Sequence, residues 1–540
     1  MMRKIRYKRI GLLTLMISLI WSSLCPARAD VSAPPAYLCA ATYSSDAWII
    51  NFWNTESDHM EKELAQIAAD GFNSIILVIP WREFQPGTDP VTYNDYAFQK
   101  LKCVMRAAEQ NGLWVQVRAG YTWDYYSSED STARYSELLG GGAVREAWLH
   151  YIGTLYEVLS GYPNFYGGFI TWEDFWNYIE NAPGSTSEAV RIREAERIGF
   201  QKYLRDYYDL EDLKAYYERK DAFEDYDQIP LPEKESPAYR LLFEFYDEFL
   251  IELLQEAQEF FPNLSMEVRL DVDPVNGIGG GKVGAHHFRT FPCNRSSYTS
   301  LMYSVSMGQK NEGEKITASE ALQAMEEQMH LVETYNGGKP IFIDQLLYMD
   351  ATEDFSYNAQ LYEEERTEYL LSIPPILRKY TNGYAVWSYR NYTNNPVYNC
   401  QFALGDRGWE TIRGHVEEYR GSMQMRLRSG GSISQKVGLR ITGEYTHDNV
   451  VSFTADSERP VTVSVTLGNV TKEVQVMGER QFELHFGSLG YHDLTIRAYG
   501  DVYLDNIEVY NFIQDGQLYG IDGEALSCLD AIRQLNAIMQ

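Results

Sequence analysis

In EKELAQIAADGFNSIILVIPWREF (Glu61–Phe84) an amphipathic stretch runs to Asp70, stops at Gly71 and gives way to the apolar run Ser74–Trp81. Apolar residues at helical spacing, a glycine able to take the left-handed cap, and a short strand hydrophobic on both faces make one α–β unit. The pattern recurs. Apolar runs at Tyr37–Tyr43, Leu113–Ala119, Gly167–Asp174, Ser265–Asp273, Ser300–Met307, Pro340–Leu347 and Gly383–Tyr389 alternate with helical stretches such as Tyr93–Asn111, Ala143–Ser160, Ala318–Tyr335 and Leu361–Tyr380. Eight such units in succession predict a closed (β/α)8 barrel over residues 30–421 rather than an open sheet. The stretch from about Asn181 to Phe261 is too long for one crossover, and its Tyr, Glu and Asp at helical spacing predict an inserted helical pair. It follows the fourth strand, so it either walls the cleft or is a solvated hairpin.

Beyond Gly421 the period changes to two, with runs Ser432–Ile441, Asn449–Ala455, Val461–Leu467, Lys472–Val476, Gln481–Phe486, Tyr491–Ala498 and Val502–Phe512. These predict a small antiparallel β-sandwich over 422–515, followed by a C-terminal amphipathic helix within 516–540. At the other end, Arg3, Lys4, Arg6, Lys8 and Arg9 precede the apolar run Ile10–Ile20, and Ala27-Arg28-Ala29 has the small-x-small form of a cleavage site. Residues 1–29 are expected to be a signal peptide and the mature protein to be secreted or periplasmic.

A formal charge of −29 disfavours nucleic acid and anionic membranes, whose phosphates need clustered Lys and Arg. A neutral partner fits better. Five cysteines (Cys39, Cys103, Cys293, Cys400, Cys528) would remain after cleavage, without metal-ligand spacing. His286-His287, after the Gly-rich stretch Gly277–Gly284, reads as a loop on the active face, and no metal or cofactor is expected.

Chemistry in such a barrel stands at the C-terminal ends of the strands. There the sequence places Trp81, Trp123, Glu173, Asp174, Asp271, Asp273, Tyr303, Asp344, Gln345 and Trp387. Carboxyl groups mixed with large rings suit sugars, whose C–H faces stack on aromatics while their hydroxyls take fixed hydrogen bonds.

With these residues in place, the barrel resembles the retaining glycoside hydrolase clan that includes the family 5 cellulases and mannanases. GFNSIILVIPWREFQP (Gly71–Pro86) is similar to that clan's second strand, KPIFIDQ (Lys339–Gln345) to its seventh, and GYAVWSYRN (Gly383–Asn391) to its eighth. The resemblance implies a two-carboxylate hydrolysis of an oligo- or polysaccharide, with Glu173 as acid/base and Asp344 as nucleophile. Apolar neighbours Trp172, Phe175 and Trp176 would favour the acid form of Glu173, and an arginine such as Arg118 is the competing, structural partner. Trp387 is expected to floor a sugar subsite, with Trp81, Trp123, Tyr303, Asp271 and Gln345 as further substrate contacts. The chain departs from the clan at Trp172, where an Asn usually precedes the acid, at Ile76, where an Arg is typical, and at Gln345, where the nucleophilic Glu would stand. The alternative is a non-catalytic glycan-binding or polysaccharide-processing accessory protein. The sandwich resembles carbohydrate-binding jelly-roll modules through GSISQKV (Gly431–Val437) and DVYLDNIEVY (Asp501–Tyr510), with Tyr445, Tyr491 and Tyr503 as possible stacking platforms.

Overall fold

The computed structural model describes residues 33–55, 59–121, 131–174, 187–218, 223–268, 273–285, 295–305, 314–349, 360–437, 449–487, 492–513 and 516–540. The expected signal peptide lies outside them, and among the described residues no helix is long and apolar enough to cross a membrane.

Eight parallel strands close into a barrel: β1 (Leu38–Thr42), β2 (Ser74–Pro80), β3 (Trp114–Tyr121), β4 (Phe165–Thr171), β5 (Leu264–Val268), β6 (Thr299–Ser304), β7 (Ile341–Leu347) and β8 (Thr381–Val386). Each expected apolar run supplies one strand. The seam is β8 on β1, in register from Leu38 opposite Gly383 to Ala41 opposite Val386. Gly383 is needed there because a Cβ would stand 2.7 Å from the Leu38 carbonyl oxygen and 2.7 Å from the Phe342 ring.

Alternation sends every second residue inward. Leu38, Ala40, Ile76, Phe169, Tyr298, Phe342 and Ala385 fill the lower lumen as one apolar cluster, while their sequence neighbours Cys39, Ala41, Ile75, Ile170, Ile343 and Tyr384 pack outward under the helices. That outer layer includes α1 (Met60–Ala69), α2 (Asp95–Gln110), α3 (Gly142–Leu159), α4 (Tyr239–Ala257), α5 (Ala318–Tyr335), α6 (Arg366–Ser372) and α7 (Pro374–Tyr380). Within the expected insertion, α4 packs on α3 and β5 and so serves as the ordinary crossover. Among the described residues the extra material includes three short helices, Glu188–Arg197, Phe200–Tyr207 and Leu210–Tyr216.

The second sheet is antiparallel, with nine strands: Tyr392–Asn394, Glu410–Tyr419, Ser422–Val437, Val450–Asp456, Val461–Leu467, Val470–Val476, Arg480–His485, His492–Ala498 and Val502–Ile513. It therefore takes in Glu410–Tyr419, ahead of Gly421. The long strand Ser422–Val437 joins two half-sheets, since Met425–Leu427 pairs with Val502–Leu504 while Ser432–Val437 pairs with His492–Arg497. Both halves close over a core that includes Leu427, Ile433, Phe453, Val463, Ile496 and Leu504.

This domain docks on the barrel's C-terminal rim. Asn51 and Asn395 exchange two hydrogen bonds (2.7 and 2.9 Å), the Arg82 guanidinium lies 4.2 Å over the Tyr398 ring, and Arg407 donates to the Pro86 carbonyl (2.6 Å). After the sheet the chain returns to the barrel. The tail helix α8 (Leu529–Met539) packs on α6 and α7, and its Asn536, fully buried, accepts from the Tyr384 hydroxyl on β8 and donates to the Asp70 carbonyl at the end of α1. It covers the seam in the place of an eighth barrel helix, so the whole sheet domain is inserted between strand and helix of the last unit. Asn536→Leu should lower stability by about 1–3 kcal/mol for each group it orphans, measured as a lower urea midpoint of the full chain; an unchanged midpoint would mean that the tail helix does not hold the seam.

Candidate active site in the barrel lumen

Above the apolar layer the inward positions turn polar. Two residues beyond Phe169 comes Thr171, two beyond Phe342 comes Asp344, Glu267 on β5 stands opposite Thr171, and Arg118 on β3, registered with Phe169, reaches up to them. Arg118 is the hub: its guanidinium lies 2.6 Å from the Glu173 carboxylate and 3.7 Å from that of Asp174. Burial by itself would lower the arginine's affinity for its proton, but the charges of Glu173, Glu267 and Asp174 outweigh that and hold it above its usual range. Thr171 ties the carboxylates together, its hydroxyl donating to Glu267 (2.7 Å) and accepting from the Glu173 backbone N–H (2.9 Å).

Glu173 is the member of this cluster that reaches the mouth, with 25 % of its side chain exposed. The expected apolar surround is not what holds it. Trp172 turns outward, donating to Asp247 (3.1 Å) and packing on Phe243 and Tyr246, because consecutive strand residues face opposite sides; Phe175 and Trp176 lie outside the described residues. An ion pair of this length stabilises the ionised carboxylate, so the resting form suits a base or nucleophile better than an acid. Asp174 is buried beneath the site, and its charge adds to burial in raising the phenols of Tyr135, Tyr151 and Tyr246.

Asp344 sits at an irregularity in β7. The pairing steps from Leu301–Ile343 to Met302–Gln345 and from Ile343–Tyr384 to Leu346–Val386, leaving Asp344 and Gln345 together between two outward residues. A bulge of this kind re-aims side chains, and both Asp344 and Gln345 are buried. Burial first, then the charges of Tyr166 and Asp344, push the Tyr298 phenol up.

The remaining expectations divide. Trp387 is partly buried at the rim, edge-on to Trp48 at 6.2 Å. Trp81 and Tyr303 are corrected: neither offers a surface to a ligand. Trp81 is 1 % exposed, donates to Gln85 (2.7 Å) and carries the Arg134 guanidinium 3.9 Å over its ring; Tyr303 is 0 % exposed and points outward to Tyr369. Trp123, Asp271 and the His286-His287 pair lie outside the described residues, as do Tyr445 and Tyr491. In the sheet domain the Tyr503 ring is taken up by Tyr419, stacked at 3.7 Å, and by Arg426 at 5.4 Å. Among the described residues no group of three or more His, Cys, Asp or Glu is arranged to hold a metal.

Glu267 is the residue that sequence reasoning missed. Its signal was present: a charged residue two beyond Ser265, between the apolar Met266 and Val268, on the face that alternation turns inward. Attention to strand ends passed over it.

Fold and lumen define a closed (β/α)8 barrel with an arginine-centred carboxylate cluster near its C-terminal mouth. No family model matches the chain, and no curated protein matches it in sequence. Among solved structures it is similar to a GH5_18 protein from Streptomyces cattleya in complex with GlcNAc (15 % identity, 67 % of this chain and 72 % of that one, TM-score 0.42). A β-galactosidase from Rahnella sp. R3 (13 %, 67 % and 51 %, TM-score 0.45) and the exo-β-1,4-mannosidase Op5Man5 from Opitutaceae bacterium strain TAV5 (13 %, 66 % and 53 %, TM-score 0.40) are further examples. Identities this low leave the chemistry to this chain's own residues.

Arg118→Met removes the cation from three carboxylates and should cost about 3–5 kcal/mol at neutral pH. Carboxylates buried without a cation bind protons more tightly folded than unfolded, so the loss should shrink as pH falls. Urea unfolding at neutral and mildly acidic pH tests this, and a deficit that does not depend on pH would rule out the charge account.

Proposed function

We propose that this chain is an exported glycoside hydrolase acting on an oligo- or polysaccharide through two carboxyl groups. The observation that carries the reading is Glu173, standing partly exposed at the C-terminal end of β4 and oriented by a buried guanidinium 2.6 Å away. Hydrolysis of a glycosidic bond needs one carboxyl group to protonate the leaving oxygen and a second, ionised, to attack the anomeric carbon or activate water. Asp344 is the second group, supported by its inward position on β7, two residues beyond Phe342. In the retaining form of the reading Glu173 protonates the leaving group and Asp344 attacks; Glu173 must then take up a proton as substrate enters and loosens its hold on Arg118. Trp387 supplies a ring face for a sugar, and the net charge of −29 favours a neutral glycan over an anionic one.

A second reading, a glycan-binding protein on a barrel that has lost catalysis, is favoured by Gln345 at the clan's nucleophile position and by the burial of Asp344. The two part on turnover. Under the hydrolase reading a panel of β-linked glycans should contain one that the protein cleaves, with Glu173→Gln and Asp344→Asn each slower by roughly 10²–10⁴-fold. Cleavage that survives both substitutions removes these assignments, and binding without cleavage across the panel leaves the second reading.

A further inference from the structure

A cavity of about 410 Å³ opens on the rim beside the seam, away from the lumen carboxylates. Four stretches of chain wall it: the loop after β1 (Thr42–Ile49), the start of α1 (His59–Ile67), the loop after β8 (Trp387–Tyr392) and Tyr519–Gly523, which arrives only after the sheet domain. Because α1 lies outside the strand ring, the cavity lies largely outside it too. None of Arg118, Glu173, Glu267 and Asp344 lines it, and of the sequence-predicted site residues only Trp387 does.

Its size lies within the range of roughly 300–1,000 Å³ usual for small-molecule sites. Tyr43, Trp48, Trp387, Tyr392 and Tyr519 line it, with Trp387 and Tyr519 partly exposed and the other three buried behind them, together with hydrogen-bonding groups such as Gln66 and Ser388. Its charges nearly cancel: the carboxylates of Asp46, Glu63 and Asp522 stand against Lys62 and Arg390, three against two. Moreover, Glu63 is bound on both sides, by Arg390 at 2.9 Å and by the Tyr43 hydroxyl at 3.0 Å, and Arg390 also donates to the Ile521 carbonyl (3.2 Å). A wall with three carboxylates against two cations gives an anion no excess of positive charge to meet. It offers ring faces and fixed hydrogen-bond partners instead, the combination that matches a pyranose ring with an apolar face and equatorial hydroxyls.

We propose that this rim cavity is a second saccharide-binding site, taking neutral sugar units of a chain whose other part lies at the lumen mouth. It rests on the glycan reading above, and Trp387, at the edge of the cavity, is where the two regions meet. The walls are set before ligand arrives, since Tyr389 and Tyr519 both donate to the buried Asp70 carboxylate (2.6 and 2.9 Å).

Calorimetry on the full chain with short β-linked oligomers of glucose, mannose and N-acetylglucosamine tests it, using Gln66→Trp and Lys62→Trp to fill the cavity from exposed positions on α1. At least one oligomer should bind, and each filling variant should raise its Kd about tenfold or more, Lys62→Trp with an unchanged thermal midpoint. Glu173→Gln, which removes turnover under the hydrolase reading, should still bind. Binding unaltered in both filling variants overturns the proposal, and so does inorganic phosphate binding where no neutral oligomer does, or no binding at all. Failure of the hydrolase reading is a separate result: cleavage persisting in Glu173→Gln, with the cavity variants still weakening affinity.

Discussion

The ring of strands is complete only where β8 meets β1, and the helix that covers that seam is the last element of the chain. Between strand and helix lies the entire sheet domain, so the barrel cannot be sealed until more than a hundred residues have found their own core. One carboxylate joins Asn536 in pinning the tail. Asp70, at the end of α1, accepts from Arg533 through two nitrogens (2.9 and 2.8 Å) and from the hydroxyls of Tyr389 and Tyr519. Its side chain is fully buried, and a buried carboxylate persists only where donors of this kind surround it. Helix α8 is thereby fixed against α1, and the chain leading to it must cross the rim. The rim cavity is a consequence of that path, because its fourth wall is the returning segment.

Inside the ring the controlling fact is the gathering of negative charge around Arg118. One guanidinium serves Glu173, Asp174 and Glu267. Such an arrangement is stable only while Arg118 stays charged and buried with them, and it makes the protonation of the cluster sensitive to whatever enters the mouth. In this way the packing of β3 against β4 and β5 reaches the chemistry of the one carboxylate that faces outward.

The sheet domain contributes through contact more than through any platform of its own. Its first strand, Tyr392–Asn394, continues from the loop after β8, and Trp48 and Thr393 share a backbone hydrogen bond of 2.7 Å. Loops that follow β1 and β2 are therefore held by the domain behind them, and Trp48 stands ready against Trp387. Rigid loops cost less ordering when a ligand binds.

The eight barrel strands were legible in the sequence, because apolar periodicity is local and each buried strand writes its own run; the start of the second sheet was not, since Tyr392–Asn394 and Glu410–Tyr419 precede the change of period at Gly421. Glu173 was legible for the same reason, as a carboxylate at a strand end. The meeting of Arg118 with Glu267 was not, since those residues stand on strands far apart in sequence and converge only when the ring closes. Trp81 and Tyr303 show the converse: large rings near strand ends look available from the sequence, yet packing put Arg134 over one and turned the other to the helices. The short helix at the end of the chain carried its amphipathic face openly, but which surface it covers depends on a seam between the first and eighth strands. Sequence by itself determined the elements and their order, through periods of two and 3.6 residues; the tertiary structure alone decided the lumen's charge cluster and the rim cavity, because both are made of side chains that share space without sharing sequence.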